Sequence, residues 1–232
     1  FETLNLDKSY IMHLAVGTSF AIIIPTSLVS VLTHKKNNFV DVKIIKAYGF
    51  FVIAGVLAGT IFTALMQTKS LVLFFSMVVY FLGTYLLLLQ KKTKEIKKKF
   101  NLLPRLIFGF ISGFVSAPMG IAGAVINVPV LRYFGYPIKK AIGSAAAIGF
   151  IIALFGAIGF LISGSFLKAN MPLSLGFINI PAFLVFVPIT SFMAKIGAKI
   201  VHKFNKRLIG KFFGIFLLIF SLRLFYEYMS FN

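Results

Sequence analysis

The sequence predicts an all-α, polytopic membrane protein, and three observations support this prediction. Of its 232 residues, 59% are apolar and 12% are charged, whereas soluble domains have about 45–50% and about 25%. The mean hydropathy is +0.97. The apolar residues form blocks long enough to cross a bilayer, which takes about 20 residues in a helix. A soluble globular fold is therefore excluded.

The spans follow from these blocks in chain order. Six blocks are ordinary spans: residues 11–33, 44–67, 70–90, 137–164, 176–198 and 208–226. A seventh block, 103–134, is too long for one span and is interrupted by Ser116, Pro118 and Gly120. It predicts two short helices that meet at a break, with the second helix beginning near Met119 to Ile121.

Charged loops predict the orientation in the inner membrane. Loops 34–46, 91–102 and 199–211 are rich in lysine and are predicted to be cytoplasmic. The turn at Lys69 and residues 165–175 each hold a single lysine and are predicted to be external. These loop assignments are consistent with one another only if block 103–134 enters and leaves the membrane on the same side. We therefore expect it to be a re-entrant hairpin, which is tolerated where it is buried in protein or lines a wet cavity.

An internal repeat relates the two halves of the chain. The stretch YIMHLAVGTS from Tyr10 aligns with YPIKKAIGSA from Tyr136, at an offset of 126 residues. Further on the offset becomes 138, and it pairs Phe39 with Phe177 and Asp41 with Asn179. Corresponding loops have opposite charge character, which predicts inverted-topology repeats, a construction used by secondary transporters. A duplication in a non-transporting membrane protein is the alternative.

The repeat also predicts the domain organisation. Residues 1–90 form the first repeat with three spans, 91–102 form a basic loop, and 103–232 form the second repeat. Because the second repeat begins with the broken hairpin, we expect the corresponding N-terminal hairpin of the first repeat to be missing from this sequence. Some ligand residues would be missing with it.

Several function classes are disfavoured by what the sequence lacks. The chain has no cysteine, which excludes disulfides, thiolate nucleophiles and Cys-ligated metals. No nucleophile and base can be assembled into a catalytic set, so we predict no enzyme, no cofactor and no metal. The acids Glu2, Asp7, Asp41, Glu95 and Glu227 lie in loops or near span ends, which argues against a carboxylate-based cation carrier. The histidines His13, His34 and His202 are interpreted as interfacial.

The net charge of +19 identifies partners only broadly. The basic residues lie in short runs between apolar blocks and are not interleaved with aromatic residues. This pattern favours loops that face anionic lipid headgroups and predicts no nucleic-acid partner. Membrane lipids and a small anionic substrate are the expected partners, and a homo-oligomer stays open.

The break is the first candidate site. Pro118 removes a backbone donor and Gly120 frees the backbone, so the second half-helix presents unpaired N–H groups and the positive end of its dipole, which favour an anion. Candidate substrate-binding residues here are Ser112, Ser116, Pro118, Met119, Gly120, Ile121, Gly123 and Asn127. A second candidate cluster comprises Gly17, Thr18, Ser19, Gly143 and Ser144. A hydroxyl in a membrane helix commonly bonds its own i−4 carbonyl, so a structural role stays open for each.

These segments resemble a known family. The glycine-rich break at 113–131 is followed by Ala141, Gly143 and Ser144, and the first copy carries Ala15, Gly17, Thr18 and Ser19. The pattern is similar to that of the TauE/SafE sulfite exporter family of membrane permeases. The resemblance implies export or uptake of sulfite, organosulfonates or related sulfur-containing anions. The second segment reads AIGSA here and departs from the family's A-x-G-T-S pattern, which leaves the substrate open.

The sequence therefore predicts a secondary transporter of small anions that works by alternating access. Hydroxyls and backbone N–H groups would bind the anion, and loop lysines would raise its local concentration. The alternative is a non-transporting membrane scaffold or assembly factor that acts through its basic loops.

Overall fold

The computed structural model describes residues 8–88, 100–167, 172–200 and 206–230. The described elements are a 3-10 helix Lys8–Tyr10, α1 Ile11–Lys36, α2 Val42–Ala64, α3 Thr68–Leu88, α4 Leu102–Met119, α5 Ala124–Tyr133, α6 Ile138–Phe166, β1 Ser174–Leu175, β2 Ile178–Asn179, α7 Ile180–Ile200 and α8 Lys206–Ser230. Seven helices, all except α5, are long and apolar enough to cross a membrane. The prediction of an all-α, multi-span membrane protein is confirmed.

Some predictions fall outside the described residues. They concern 91–99 in one basic loop, 201–205 in another, the acids Glu2, Asp7 and Glu95, and the histidine His202.

Block 103–134 is divided into two helices, but their lengths differ from the prediction. Helix α4 has 18 residues, about 27 Å at 1.5 Å per residue, so it is not short, whereas α5 has ten. Pro118 lies in the last turn of α4 and does not end the helix. The chain turns at Gly120 and Gly123, which have φ of 61° and 63°, a region that glycine enters readily. Helix α5 therefore begins at Ala124, later than predicted.

The span predicted from residue 176 also begins later. Residues Ser174–Leu175 and Ile178–Asn179 pair as a small antiparallel hairpin. Helix α7 begins only after it, at Ile180.

Helices α2 and α4 are parallel and meet along a seam of glycines. Gly109 lies against Tyr48, and Gly59 lies against Phe114. A Cβ atom on Gly113 would lie 2.2 Å from the carbonyl oxygen of Val52. Lipid provides no hydrophobic driving force between helices, so close packing of small residues is what holds such a pair together.

Two further helix pairs are antiparallel. In the first pair, Gly17 of α1 lies against Phe160 of α6, and Gly156 of α6 lies against Phe20. In the second, α3 and α8 pack together, with Gly83 beside Gly214. Helix α1 also packs on α7, and α6 also packs on α2. The core lies between α1, α2 and α6, where the side chains of Phe20, Tyr48 and Phe160 are fully buried.

Each half of the chain binds a loop of the other half in the same way. The Thr18 hydroxyl accepts a hydrogen bond from the Asn179 N–H at 2.9 Å. The Ser144 hydroxyl accepts one from the Asp41 N–H at 3.0 Å. Next to these bonds, a Cβ on Gly17 would lie 2.3 Å from the Phe177 carbonyl oxygen, and a Cβ on Gly143 would lie 2.3 Å from that of Phe39.

The α2–α4 seam gives a stability prediction with a matched control. Gly113→Ala places a methyl group against the α2 backbone and should lower the free energy of unfolding by about 1–3 kcal/mol. A Cβ atom on Gly197 of α7 would meet nothing within 4 Å, so Gly197→Ala should be neutral or stabilising by up to about 1 kcal/mol. Thermal unfolding in detergent measures both. Equal effects of the two substitutions would contradict the packing described.

Candidate functional site

The backbone at the break is partly satisfied by its own helices. At the end of α4, the Gly120 N–H donates to Ala117 O and the Ile121 N–H donates to Ser116 O, both at 3.4 Å. The first turn of α5 closes when the Asn127 N–H donates to Gly123 O at 2.9 Å. The N–H groups of Ala124 and Val125 precede any intrahelical acceptor. The break therefore presents two N–H donors at the positive end of the α5 dipole.

Asn127 supplies a third donor. Its side chain is fully buried, and its Oδ1 accepts hydrogen bonds from the Ser112 hydroxyl at 2.8 Å and the Tyr48 hydroxyl at 2.9 Å. These two bonds fix the amide, and Asn127 Nδ2 is left buried without a partner. An unsatisfied buried donor costs about 1–3 kcal/mol. Because a ligand that accepted a hydrogen bond from Asn127 Nδ2 would remove this cost, the amide is a candidate ligand-binding group.

Gly123 brings the polar groups of α4 and α5 together. A Cβ at this position would lie 2.9 Å from Ser116 Oγ and 3.1 Å from Asn127 Nδ2. Ser116 donates to the carbonyl of Ser112 at 2.6 Å, so its hydroxyl must rotate before it can donate to an anion. Both side chains are fully buried, and bulk water does not reach them in this conformation.

An apolar cavity of about 250 Å³ adjoins the break. Residues 119 and 121–125 form one wall, and α3 and α8 form the other. The wall from α3 and α8 is made of Phe75, Val79, Leu82, Phe213, Phe216, Leu217 and Phe220. Gly123, which precedes α5, therefore borders both this apolar space and the side chains of Ser116 and Asn127.

The remaining predicted site residues lie in two places. Pro118 is buried in the last turn of α4, and Met119 and Ile121 line the cavity. Ser19 belongs with the break, because a Cβ on Gly120 would lie 3.3 Å from Ser19 Cβ.

Thr18 and Ser144 bind the backbone N–H groups of Asn179 and Asp41 in this conformation, and Thr18 also donates to Leu14 O at 2.6 Å. Gly17 and Gly143 adjoin those two bonds. A ligand role for these four residues stays a prediction.

One buried polar contact, that of Tyr48 with Asn127, was not predicted from the sequence. Tyr48 was assigned only to a span, although a tyrosine between Ala47 and Gly49 in an apolar helix is a signal for a buried polar contact. His13 was predicted to be interfacial; it lies in the first turn of α1 and is fully buried by neighbouring protein, with Nε2 2.9 Å from Thr63 O. His34 is also buried, at 3% exposure. The helices and loops packed around both histidines cover them.

Comparison with known proteins identifies the family. The TauE/SafE sulfite exporter family model matches residues 4–224. The chain belongs to the TauE/SafE sulfite exporter family. It is therefore a member of a membrane-transporter family and not an enzyme.

Three relatives support this membership. A "probable membrane transporter protein" of Haemophilus influenzae is 29% identical over 95% of this chain and 84% of its own length. One from Bacillus subtilis is 26% identical over 93% and 81%. One from Methanocaldococcus jannaschii is 23% identical over 83% and 72%. No solved structure matches the chain significantly.

The Asn127 hydrogen bonds give a second stability prediction. Tyr48→Phe removes one of the two hydroxyls that bind Asn127 Oδ1 and should lower the free energy of unfolding by about 1 kcal/mol. The matched control is Tyr80→Phe in α3, where the tyrosine is 44% exposed and a change within about 0.5 kcal/mol is expected. Denaturation in detergent measures both variants. A Tyr48→Phe protein as stable as the control would show that this bond contributes nothing.

Proposed function

We propose that this protein is a secondary transporter of small anions, in particular sulfite, organosulfonates or related sulfur-containing anions, and that it works by alternating access. The observation that carries the proposal is the meeting of three kinds of donor around Gly123. They are the N–H groups at the start of α5, the buried unpartnered amide of Asn127 and the hydroxyl of Ser116.

These donors suit the oxygens of a sulfite or sulfonate group. Such oxygens accept hydrogen bonds and carry negative charge, and a helix amino terminus stabilises both features. Ala124, Val125 and Asn127 would donate to the oxygens, and Ser116 would add a fourth donor after its hydroxyl rotates. Neither of the two described carboxylates, Asp41 and Glu227, lines the adjoining cavity, so no carboxylate there would repel the anion.

The cavity supports a preference within this class of substrates. Its lining of Phe75, Phe213, Phe216 and Phe220 is apolar and adjoins the amino end of α5. A sulfonate bound at the break would place its organic part in this space, whereas sulfite has no apolar part to bury. We therefore expect an alkanesulfonate to bind more tightly than sulfite.

The inverted repeat and alternating access are supported by the contacts between the two halves. The Thr18–Asn179 and Ser144–Asp41 bonds join residues that the repeat alignment makes equivalent. Helices α1 and α6 are antiparallel, so a two-fold axis that exchanges them is perpendicular to both helices and lies in the membrane plane. Transporters with inverted repeats have this symmetry.

The contacts of the hairpin support its re-entrant course. Phe100 before α4 and Phe134 after α5 have ring centroids 4.4 Å apart, so the two ends of the hairpin lie together. Both ends would face the cytoplasm, on the same side as loops 34–46, 91–102 and 199–211. Ser116 and Asn127 are fully buried, as an occluded state in alternating access would require of these two side chains.

Transport by the purified protein in liposomes tests the proposal. Labelled sulfite, methanesulfonate and butanesulfonate are supplied to wild type, Asn127→Leu and Ser116→Ala. Saturable flux should fall at least about tenfold in Asn127→Leu, because about 1.4 kcal/mol of lost anion binding corresponds to that factor. Ser116→Ala should lower flux less, since its hydroxyl is engaged elsewhere in the occluded state. The matched control is Ser76→Ala, a buried serine of α3 that donates to Leu73 O, and it should retain wild-type flux.

Two results would count against the proposal. Flux no higher than in empty liposomes, with the protein folded and inserted, would refute sulfur-anion transport and favour the scaffold alternative. Undiminished flux in Asn127→Leu would leave a transporter but move its site away from the break.

Filling the cavity tests how the organic part is bound. Val79→Phe on α3 adds volume at the cavity wall and should raise the KM for butanesulfonate several-fold while changing the KM for sulfite little. Met77→Phe on the same helix is the control, because Met77 is 45% exposed and lies outside the cavity lining. An equal increase in KM for both anions would show that the cavity does not hold the organic part.

A further inference from the structure

A cleft opens between α1 and α7 at the end of the molecule that is predicted to be cytoplasmic. The two helices run in the same direction and touch at Thr26 and Thr190, whose hydroxyl oxygens are 2.9 Å apart. Beyond this contact, toward the carboxyl ends of both helices, lies a cavity of about 710 Å³. We call it the basic cleft. It is lined by Val29, Leu32, Thr33, Lys36, Asn37 and Lys195.

The basic cleft has two cations in its wall. Lys36 is the last residue of α1, Lys195 lies five residues after the contact on α7, and both side chains are exposed. Of the carboxylates in the described part of the chain, Asp41 and Glu227, neither lines the cleft. The two ammonium groups repel each other across the cleft. An anion bound between them would offset this repulsion.

The apolar part of the basic cleft favours an anion that carries a hydrocarbon chain. Leu32 and Val29 precede Lys36 by four and seven residues, which is about 6 Å and about 10 Å along a helix axis. Leu32 is 51% exposed, on a helix long enough to cross the membrane. The cleft is therefore charged near the membrane surface and apolar below it. A phospholipid has the same order of groups, whereas a free inorganic anion has no part to place against Leu32.

Asn37 adds a hydrogen-bond donor at the charged end of the cleft. Its side chain is exposed, and Nδ2 donates one hydrogen to Thr33 O at 2.9 Å. A primary amide carries two hydrogens, so the second can be donated to a phosphate oxygen.

The other end of the molecule lacks these charges. The offsets of the repeat alignment pair the lysines of α1 and α7 with Ile162 and Leu57, respectively, which are 47% and 41% exposed. There α6 and α2 lie in close contact, because a Cβ on Gly159 would lie 2.7 Å from Thr60 Oγ1. The equivalent place at the predicted external end is therefore apolar and closely packed. The charges belong to the end where the membrane leaflet is rich in anionic lipid.

We propose that the basic cleft is a binding site for an anionic phospholipid. The phosphate lies between Lys36 and Lys195, and an acyl chain lies along Val29 and Leu32. Lysine at this depth can pack its stem on apolar surface and keep its ammonium group at the headgroup level. The bound lipid contacts α1 of the first repeat and α7 of the second, so it holds the two halves together at this end. The site is separate from the break and does not depend on what the protein transports.

A tryptophan reporter tests the site in a bilayer. The chain has no tryptophan, so a single introduced tryptophan reports its own surroundings. Leu32→Trp places it in the basic cleft, and Ile158→Trp places it at the equivalent position of α6, where the native residue is 44% exposed. The full chain is reconstituted in mixtures of phosphatidylcholine and phosphatidylglycerol, with one of the two lipids brominated. Bromine quenches a tryptophan that it touches, so the quenching gives the preference of each position for either lipid.

The two reporters should give different lipid preferences. Leu32→Trp should prefer phosphatidylglycerol at least about fivefold, which is roughly the effect of one lysine near an anionic surface. Ile158→Trp should show a preference close to one. Equal preferences at the two positions would overturn the proposal.

The lysines are tested by substitution beside the Leu32→Trp reporter. Lys36→Gln combined with Lys195→Gln should reduce the preference to that of the control reporter. The matched control combines Lys35→Gln with Lys140→Gln, which removes two exposed charges at the same predicted end but outside the cleft lining, and it should retain the preference. A preference that survives the first pair, or that is lost equally with the control pair, would also refute the site.

Thermal unfolding in detergent provides a second measurement without tryptophan. A ligand that binds only the folded protein raises its Tm. Added phosphatidylglycerol should raise the Tm of wild type and of the Lys35 and Lys140 control pair equally, and that of the Lys36 and Lys195 pair by less than half as much. Inorganic phosphate in excess should not reproduce the increase, because it has no acyl chain. An equal increase with phosphate would overturn the assignment to a lipid.

Discussion

A helix that ends away from water must find partners for its terminal backbone groups, and this constraint organises the structure around residues 120–123. In a membrane, irregular backbone is tolerated only inside protein or beside a cavity. The N–H groups of Gly120 and Ile121 close α4 by donating to the carbonyls of Ala117 and Ser116, and the seam with α2 covers one face of α4. The donors left over, at the start of α5 and on Asn127, are those assigned to the anion. The proposed site thus consists of the hydrogen-bond donors that the fold leaves unsatisfied.

The helices around the break are held by close backbone approach. In lipid, the hydrophobic effect does not drive helices together, because the lipid tails are as apolar as the side chains. Glycines let two helix backbones approach closely, and the resulting van der Waals packing holds the helices together instead. Gly17 and Gly143 allow the same close packing between the two halves. Each lies against the backbone carbonyl of a phenylalanine from the other half. The hydroxyls of Thr18 and Ser144 then satisfy the adjacent loop N–H groups. A transporter that rocks one half against the other must break and remake these contacts.

The sequence predicted features that depend on the local conformation of one residue type, such as glycine at a break. It did not predict contacts that depend on a residue distant in the chain. The length of block 103–134 and its glycines predicted the break, and Asn127 was predicted at it. The start of α5 was misjudged, because the last turn of α4 accommodates Pro118 and the left-handed conformations of Gly120 and Gly123 set the boundary. Tyr48 was missed because its partner lies 79 residues away.

An experimental structure with a bound alkanesulfonate tests the proposed site most directly, because the anion is proposed to occupy the break. The sulfonate group is expected within hydrogen-bond distance of Asn127 Nδ2 and the N–H groups of Ala124 and Val125, with its alkyl part between Phe75 and Phe216. A sulfonate bound at the loop lysines, with the break closed as in the present structure, would contradict it.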